Sequence, residues 1–433
     1  MPARPARPLS TWGLMRVVPK NSIAACDEEL FARPIVSRRY IWGRFVSVAD
    51  PEGVKRVLQD NVDNYPRIRS NRHMFRFGTG TGMLSAEGET WRRHRRVLNP
   101  TLDHRSASAE VPSIAALAEE LVRRLGEVPP GEPINVGETF THLVTSATGR
   151  LFAAAERDFD EPIYRLGQYP GRYRITDLLG ITDPPTRADV LALHPLVDRL
   201  VAARRAGDDQ DAPDLLRRIV QGRDPLTGSA LDQDELRDEI LTLGATSATP
   251  LRVFPWFWYL LDLHRDCEAR LHDELATVLG GRAPSADDLP RLTYLRRLVD
   301  ETLRLYPPAP TMLRRANADD VVCGTPVPRG TTVGVLPWVI HRHKMLWHDP
   351  DRFDPDRFSP GPVAARSRYA YLPFALGPHV CIGAALALIE ITVAVAVVAQ
   401  TFRFRLAPGH PVEPIAWTNL HPKGGMWMTV ERR

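Results

Sequence analysis

The stretch FALGPHVCIG, from Phe374 to Gly383, runs straight into an apolar segment that ends at Ala399. No other feature limits the fold as much. An apolar run of that length is either a membrane span or a helix buried in a protein core. Glu390 and Thr392 interrupt it and alanines are frequent in it, so it reads as a buried helix. Cys381 then stands at the mouth of that helix, between Gly377 and Gly383, which permit tight turns and close backbone approach. A helix start presents free N–H donors and a positive dipole end, both of which favour thiolate. A thiolate in a glycine-rich loop is a good soft ligand for iron. A packed, inert thiol is the other reading, and the commoner fate of a lone cysteine. This window alone leaves both open.

The remaining sequence narrows the choice. The chain has 433 residues, 43% of them hydrophobic, enough for a large core. A net charge of +4 gives no case for nucleic acid as the main partner. Cys26, Cys267, Cys323 and Cys381 are scattered without a CxxC pair. That argues against a disulfide framework or a zinc site and fits a reducing, cytoplasmic compartment. The start, MPARPARPLSTWGLM, has no long apolar core, so no signal peptide is expected.

The pattern predicts a mainly α chain with a smaller β-rich portion. Residues 1–18 read as an N-terminal tail and residues 19–433 as one domain without a linker. Extended pieces are expected in RRYIWG and RFVSVAD, and a helix opening at Pro51. Helix dominates from Ser108 to Leu261 and from Asp287 to Tyr306. Short strands are expected in DDVVCG, TTVGVLP, FRFRLAPGHPVEP and GMWMTVERR.

In ETLRLYPP, Glu301 and Arg304 lie three apart on one helical face and can pair. In DPDRFDPDRF, Arg357 is placed to fold back on that pair as a buried network, which fixes geometry more than it adds stability. These two segments and FALGPHVCIG, in this order and at these intervals, resemble the cytochrome P-450 superfamily of haem-thiolate enzymes. The resemblance covers nearly the whole chain.

It implies the P-450 fold, with haem between a long central helix and the helix behind the cysteine loop. Cys381 would be the proximal iron ligand, within a signature that includes Phe374, Gly377, His379 and Gly383. Glu301, Arg304 and Arg357 would be the structural Glu–Arg–Arg triad. In GMLSAEGETWRRHRRVLNP, Trp91 and Arg95 share a helical face, and an indole N–H beside a guanidinium can hold a carboxylate. In the family that carboxylate is a haem propionate, with Arg314 and His379 facing propionates as well. Arg92, Arg93 and Arg96 would be solvated or meet a redox partner. HRHKMLWH, despite its three histidines, would be structural.

The implied cofactor is heme b. The implied reaction is hydroxylation of a mainly apolar small molecule, using dioxygen and electrons from a separate ferredoxin or flavodoxin with its reductase. Neither nucleic acid nor membrane is an implied partner. Peroxide-driven oxygenation, redox-neutral isomerisation or dehydration, and non-enzymatic haem ligand sensing are the alternatives.

One region departs from the family pattern. Its long central helix usually carries an acid followed by a threonine, which deliver protons to the distal side. Here the helix reads LRDEILTLGATSATPLRVFPWFWYLL, Leu236 to Leu261. Counting back from WFWYLL puts Thr249 in the alcohol position and Ala248 in the acid position. A shifted register offers Ser247 after Thr246, again without a carboxylate. Pro250 follows at once and either kinks or ends the helix. RIRSNRHMFRF, Arg67 to Phe77, matches the family's pocket-covering loop. It reads as a solvated loop from which one of Arg67, Arg69, Arg72 and Arg76 could turn inward to an anionic group.

Overall fold

The Ala384–Ala399 helix forms the axis of the core in the computed structural model, which describes residues 4–151, 187–206, 215–247 and 249–433. Every side chain from Ile389 to Ala399 on it is buried, as expected of a helix apolar all round. Its small alanines and valines pack along Val111–Gly126, which contributes Ile114, Ala118, Leu121 and Leu125. Among the described residues no helix is long and apolar enough to cross a membrane.

Aromatic rings extend this core. The Phe254–Leu263 helix stacks Phe254 on Phe140 at 4.4 Å, Trp258 on Phe404 at 4.3 Å and Trp256 on Tyr306 at 4.0 Å between ring centroids. A second cluster joins the Gly88–Leu98, Arg187–Ala206, Leu215–Gln221 and Gln233–Ser247 helices through Trp91, Leu98, Val197, Leu216 and Ile240. The β-rich portion is small. One mixed sheet runs Ile35–Tyr40, Gly43–Val48, Thr332–Val335, Met312–Arg315, with its middle pair parallel. Another pairs Phe402–Leu406 with Trp427–Arg432. The chain is mainly α with a lesser β part, as its patterning predicts.

Three segments differ from expectation. The segment read as a tail holds a helix, Thr11–Val17, capped by Ser10, and Arg4 reaches Asp351 at 2.5 Å. The segment read as a solvated loop is a helix, Arg69–Thr79, with Met74 and Gly78 on its buried side, four positions apart. The long central helix is not continuous. It ends at Ser247, and a short 3-10 turn, Thr249–Arg252, precedes the Phe254–Leu263 helix. Pro250 has no N–H to continue the ladder and Pro255 stands in the first turn of the next helix, so the chain restarts rather than bends.

The Thr293–Leu305 helix carries the predicted network. Arg304 Nε donates to Glu301 Oε2 at 2.5 Å and Nη2 donates to Oε1 at 2.7 Å, and neither side chain is exposed. Arg357 Nε approaches Oε1 at 3.6 Å, while the Asp354 N–H donates to the same oxygen at 2.8 Å. Arg304 also donates to the carbonyls of His341, Pro350 and Arg352 at 2.7, 2.6 and 2.9 Å. One guanidinium therefore fixes three separate backbone segments. Removing the carboxylate strands a buried cation. Glu301→Ala should lower unfolding stability by about 3–5 kcal/mol in urea titration; a loss below about 1 kcal/mol, the worth of an exposed pair, would contradict this role.

Candidate functional site

The cysteine loop is shaped by backbone crowding. Ala375 and Gly377 have φ of 61° and 74°. A Cβ added to Gly377 would fall on the carbonyl oxygen of Leu58 and lie 2.9 Å from its carbonyl carbon. Glycine is thus required twice, for its dihedral and for its missing side chain. The Cys381 N–H closes the loop by donating to the Phe374 carbonyl at 2.8 Å. Phe374 itself packs on the core. Gly383 directly precedes the core helix and has open space where a Cβ would stand, so the two glycines play different parts.

The loop is tied to the Glu301–Arg304 network through His341. His341 Nδ1 donates to the Arg304 carbonyl at 3.1 Å, and its Nε2 accepts from the Leu372 N–H at 2.7 Å. Burial holds this histidine well below its ordinary pKa, so it is neutral and its tautomer is set by these two bonds. His341 and His343 of HRHKMLWH are both buried, and His341 spends both ring nitrogens on backbone groups.

Cys381 is exposed by surface area, yet burial raises its thiol pKa. Both hold when the surface it presents lines an internal cavity. The Gly383 N–H and the Arg95 charge act in the opposite direction and favour thiolate. Arg95 is anchored beside it by a 2.7 Å bond from Nη1 to the Val380 carbonyl.

A cationic cluster stands next to the loop. Trp91 packs on His379 with ring centroids 3.9 Å apart and the rings tilted by 36°. Arg67 Nη2 donates to His379 Nδ1 at 3.0 Å. Arg67 also reaches the Leu84 and Ala86 carbonyls at 3.2 and 3.0 Å and Glu87 at 3.4 Å. Arg314 is buried beside Arg67, and its Nη1 donates to the Leu313 carbonyl at 3.2 Å. Burial and the Arg67 charge lower the pKa of Arg314 to about 10. Burial, then Arg67, Arg314 and Arg95, push His379 down to about 3. His379 is therefore neutral. With Nδ1 accepting from Arg67, its proton sits on Nε2, where it can be donated.

Trp91, Arg95, Arg314, Phe374, Gly377, His379, Cys381 and Gly383 thus meet around one loop. Sequence reasoning named Arg67 only as one of four arginines that could turn inward and missed its bond to His379, because the two residues are 312 positions apart. Its only signal was the arginine content of the segment. The other predicted site residues lie at the helix break. Ser247 closes the Gln233–Ser247 helix, and its hydroxyl donates to the Gly244 carbonyl at 2.6 Å. Thr249 opens the 3-10 turn, which packs on the Ala384–Ala399 helix. Ala248 lies outside the described residues. The basic face around Trp91 is ion-paired, at the surface for Arg92 and partly buried for Arg93 and Arg96. Arg92 meets Asp63 at 2.6 Å, Arg96 meets Asp224 at 2.8 Å, and Arg93 meets Glu235. His94 is buried against Glu239 at 2.6 Å, tying this helix to the central one.

The family model for cytochrome P450 matches residues 4–168 and 187–428. The chain belongs to the cytochrome P450 family. Putative cytochrome P450 132 of Mycobacterium tuberculosis is 31% identical over 99% of this chain and 97% of its own. Cyclooctat-9-en-7-ol 5-monooxygenase of Streptomyces melanosporofaciens is 33% identical over 83% of this chain and 80% of its own. The solved heme domain of cytochrome P450DA superposes with a TM-score of 0.81 at 22% identity, covering 92% of this chain and 90% of that one. The P450 is a monooxygenase whose cofactor is haem and whose substrates are small molecules.

The residues present fit that cofactor. Arg67, Arg95 and Arg314 bring three guanidiniums together with Glu87 as the carboxylate among them, a surplus suited to a group carrying two carboxylates. The loop geometry gives a paired test. Gly377→Ala should cost about 1–3 kcal/mol or more in urea unfolding, from strain and collision with Leu58. Gly383→Ala, with open space, should stay within about 0.5 kcal/mol. Equal losses in the two variants would contradict the crowding assigned to Gly377.

Proposed function

We propose that this P450 hydroxylates an apolar, terpenoid-like small molecule with dioxygen and electrons from a separate ferredoxin or flavodoxin and its reductase. The observation that carries the reading is Cys381, exposed on its loop and flanked by cationic donors. Heme b held there supplies the redox chemistry that inserts one oxygen atom into a C–H bond. Cys381 Sγ is the iron ligand in this reading, with the Gly383 N–H and Arg95 favouring its thiolate. Trp91, Arg95, Arg67, Arg314 and the Nε2–H of His379 hold the propionates. Glu301, Arg304 and Arg357 hold the loop that presents the sulfur.

The substrate class follows from two facts. The relative named as a cyclooctat-9-en-7-ol monooxygenase acts on a cyclic alkenol. The central helix contributes Leu241, Leu243 and Ala245 to the apolar cluster that Ile382, next to Cys381, also packs against. Such walls exclude water and place an apolar molecule by shape. Thr249 and Ser247, at the break in the central helix, are the hydroxyls available to handle protons. The Ser247 proton is already engaged by the Gly244 carbonyl, which leaves Thr249 Oγ1 as the better placed. We place the enzyme in the cytoplasm, where its four free cysteines would stay reduced.

Product formation under different electron supplies tests the reading. With NADPH, a ferredoxin and its reductase, a cyclic terpenoid alcohol or alkene should gain one hydroxyl. Peroxide alone should give product at a rate at least about tenfold lower, a barrier difference of about 1.4 kcal/mol. Faster turnover with peroxide, or product with neither supply, would contradict it.

A further inference from the structure

The helix that presents Trp91 and Arg95 is anchored to the central helix by a buried titratable group that the chemistry above leaves unused. His94 stands next to Arg95 and three residues from Trp91, and its side chain has no exposed surface. Its Nδ1 lies 2.6 Å from Oε1 of Glu239, whose carboxylate is equally buried. Its Nε2 lies 3.4 Å from Oε1 of Glu235. Both acids come from the Gln233–Ser247 helix, four positions apart, so they face the same way. A neutral imidazole has one N–H and one lone pair, and here the lone pair would point at a carboxylate oxygen. Two acceptors on two ring nitrogens are satisfied when both nitrogens carry protons. His94 is therefore an imidazolium in the core.

The charges around it balance. Arg93 pairs with Glu235, so Arg93, Glu235, His94 and Glu239 alternate in sign and sum to zero. Burial works against a charged His94, but the bonds and charges of Glu239 and Glu235 outweigh it and hold its pKa above the ordinary 6.5. Burial pushes the Glu239 pKa up, and His94 is the largest influence pulling it back. Other charged groups nearby face elsewhere. Asp238 accepts from the Thr81 N–H at 2.6 Å, and Arg96 meets Asp224 at 2.8 Å. Arg237 meets Asp198 of the Arg187–Ala206 helix at 2.8 Å, and Arg218 of the Leu215–Gln221 helix donates to Ser106 at 2.6 Å. Oε2 of Glu239 is buried with no hydrogen-bond partner among the described residues. Without the His94 charge, a buried carboxylate is stranded and the two helices lose what draws them together.

Within the same turn as His94, Trp91 packs on His379 and Arg95 Nη1 donates to the Val380 carbonyl. We propose that His94 is a positioning residue for the cofactor's carboxylates: clamped between Glu239 and Glu235, it fixes the helix that presents Trp91 and Arg95, and a rise in pH that removes its charge loosens that grip. The inference rests on the haem reading above. The folded protein binds this proton more tightly than the unfolded chain does, so the grip is full below the ordinary histidine value and is lost as pH rises through the folded one. In this reading His94 touches neither haem nor substrate and acts through its helix.

Two measurements separate this role from packing, and neither is turnover. Nitrogen-15 spectra of the histidine-labelled, haem-loaded protein at about pH 7.5 should show a histidine with both ring nitrogens protonated that is missing from His94→Gln. Haem transfer from wild type to apomyoglobin should speed up by about tenfold or more between about pH 6.5 and about pH 9. In His94→Gln, whose amide can donate to Glu239 but cannot titrate, the rate should stay within about twofold over that range. Glu235→Gln removes the second acceptor, so its rise should begin at lower pH; this variant carries the test if His94→Gln does not retain haem. A neutral His94 in the nitrogen spectra, a flat wild-type profile, or the wild-type slope preserved in His94→Gln would overturn the proposal. An Arg95→Ala protein that releases haem no faster than wild type would instead sink the placing of the carboxylates, and this inference with it, while leaving the nitrogen spectrum of His94 unmoved.

Discussion

The backbone of the cysteine loop can lie against Leu58 only because Gly377 has no side chain. That close approach sets the positions of Phe374, His379 and Cys381, which would otherwise swing with the loop. The Cys381 N–H bond to Phe374 closes the turn, and Gly383 leads directly into the core helix. From the far side the Leu372 N–H reaches His341, and His341 reaches Arg304. One chain of short contacts therefore connects a buried ion pair to the sulfur. Sequence puts glycine at one place, packing gives that glycine its consequence, and the site inherits the result.

Electrostatics then divides the molecule into paired and unpaired charge. Glu301 and Arg304 are fully matched by carboxylate oxygens and backbone carbonyls, and a pair of that kind fixes geometry more than it adds stability. The Arg67, Arg95 and Arg314 group is the reverse, with more positive charge than its surroundings answer. Burial lowers all three arginine pKa values, which records the cost of holding them together. A dianionic ligand would relieve that cost, which is the support for placing the cofactor's carboxylates there.

Much of this is legible in the sequence where the signal is local. Glu301 and Arg304, Trp91 and Arg95, and the glycines around Cys381 each sit within a few positions of their partners. Helical periodicity and turn chemistry suffice to read them. Pro250 marked the disturbance in the central helix, but whether proline kinks or ends a helix depends on what the next residues pack against. The aromatic run from Phe254 had a core to enter, so the chain restarted. Arg67 was not legible in its role, because its partner His379 comes near only when the whole fold is assembled. The Arg69–Thr79 helix was hidden by its charge: four arginines across Arg67 to Phe77 suggested a solvated loop, while Met74 and Gly78 had already placed one side inward.

The sulfur of Cys381 as iron ligand is the claim on which the haem chemistry stands, and it has a direct spectroscopic test. The carbon-monoxide difference spectrum of the reduced, haem-loaded protein should show the long-wavelength band of a thiolate-bound haem. Replacing Cys381 by serine should move that band to the shorter wavelength of a haem without thiolate. An unchanged band in the serine variant would contradict the assignment.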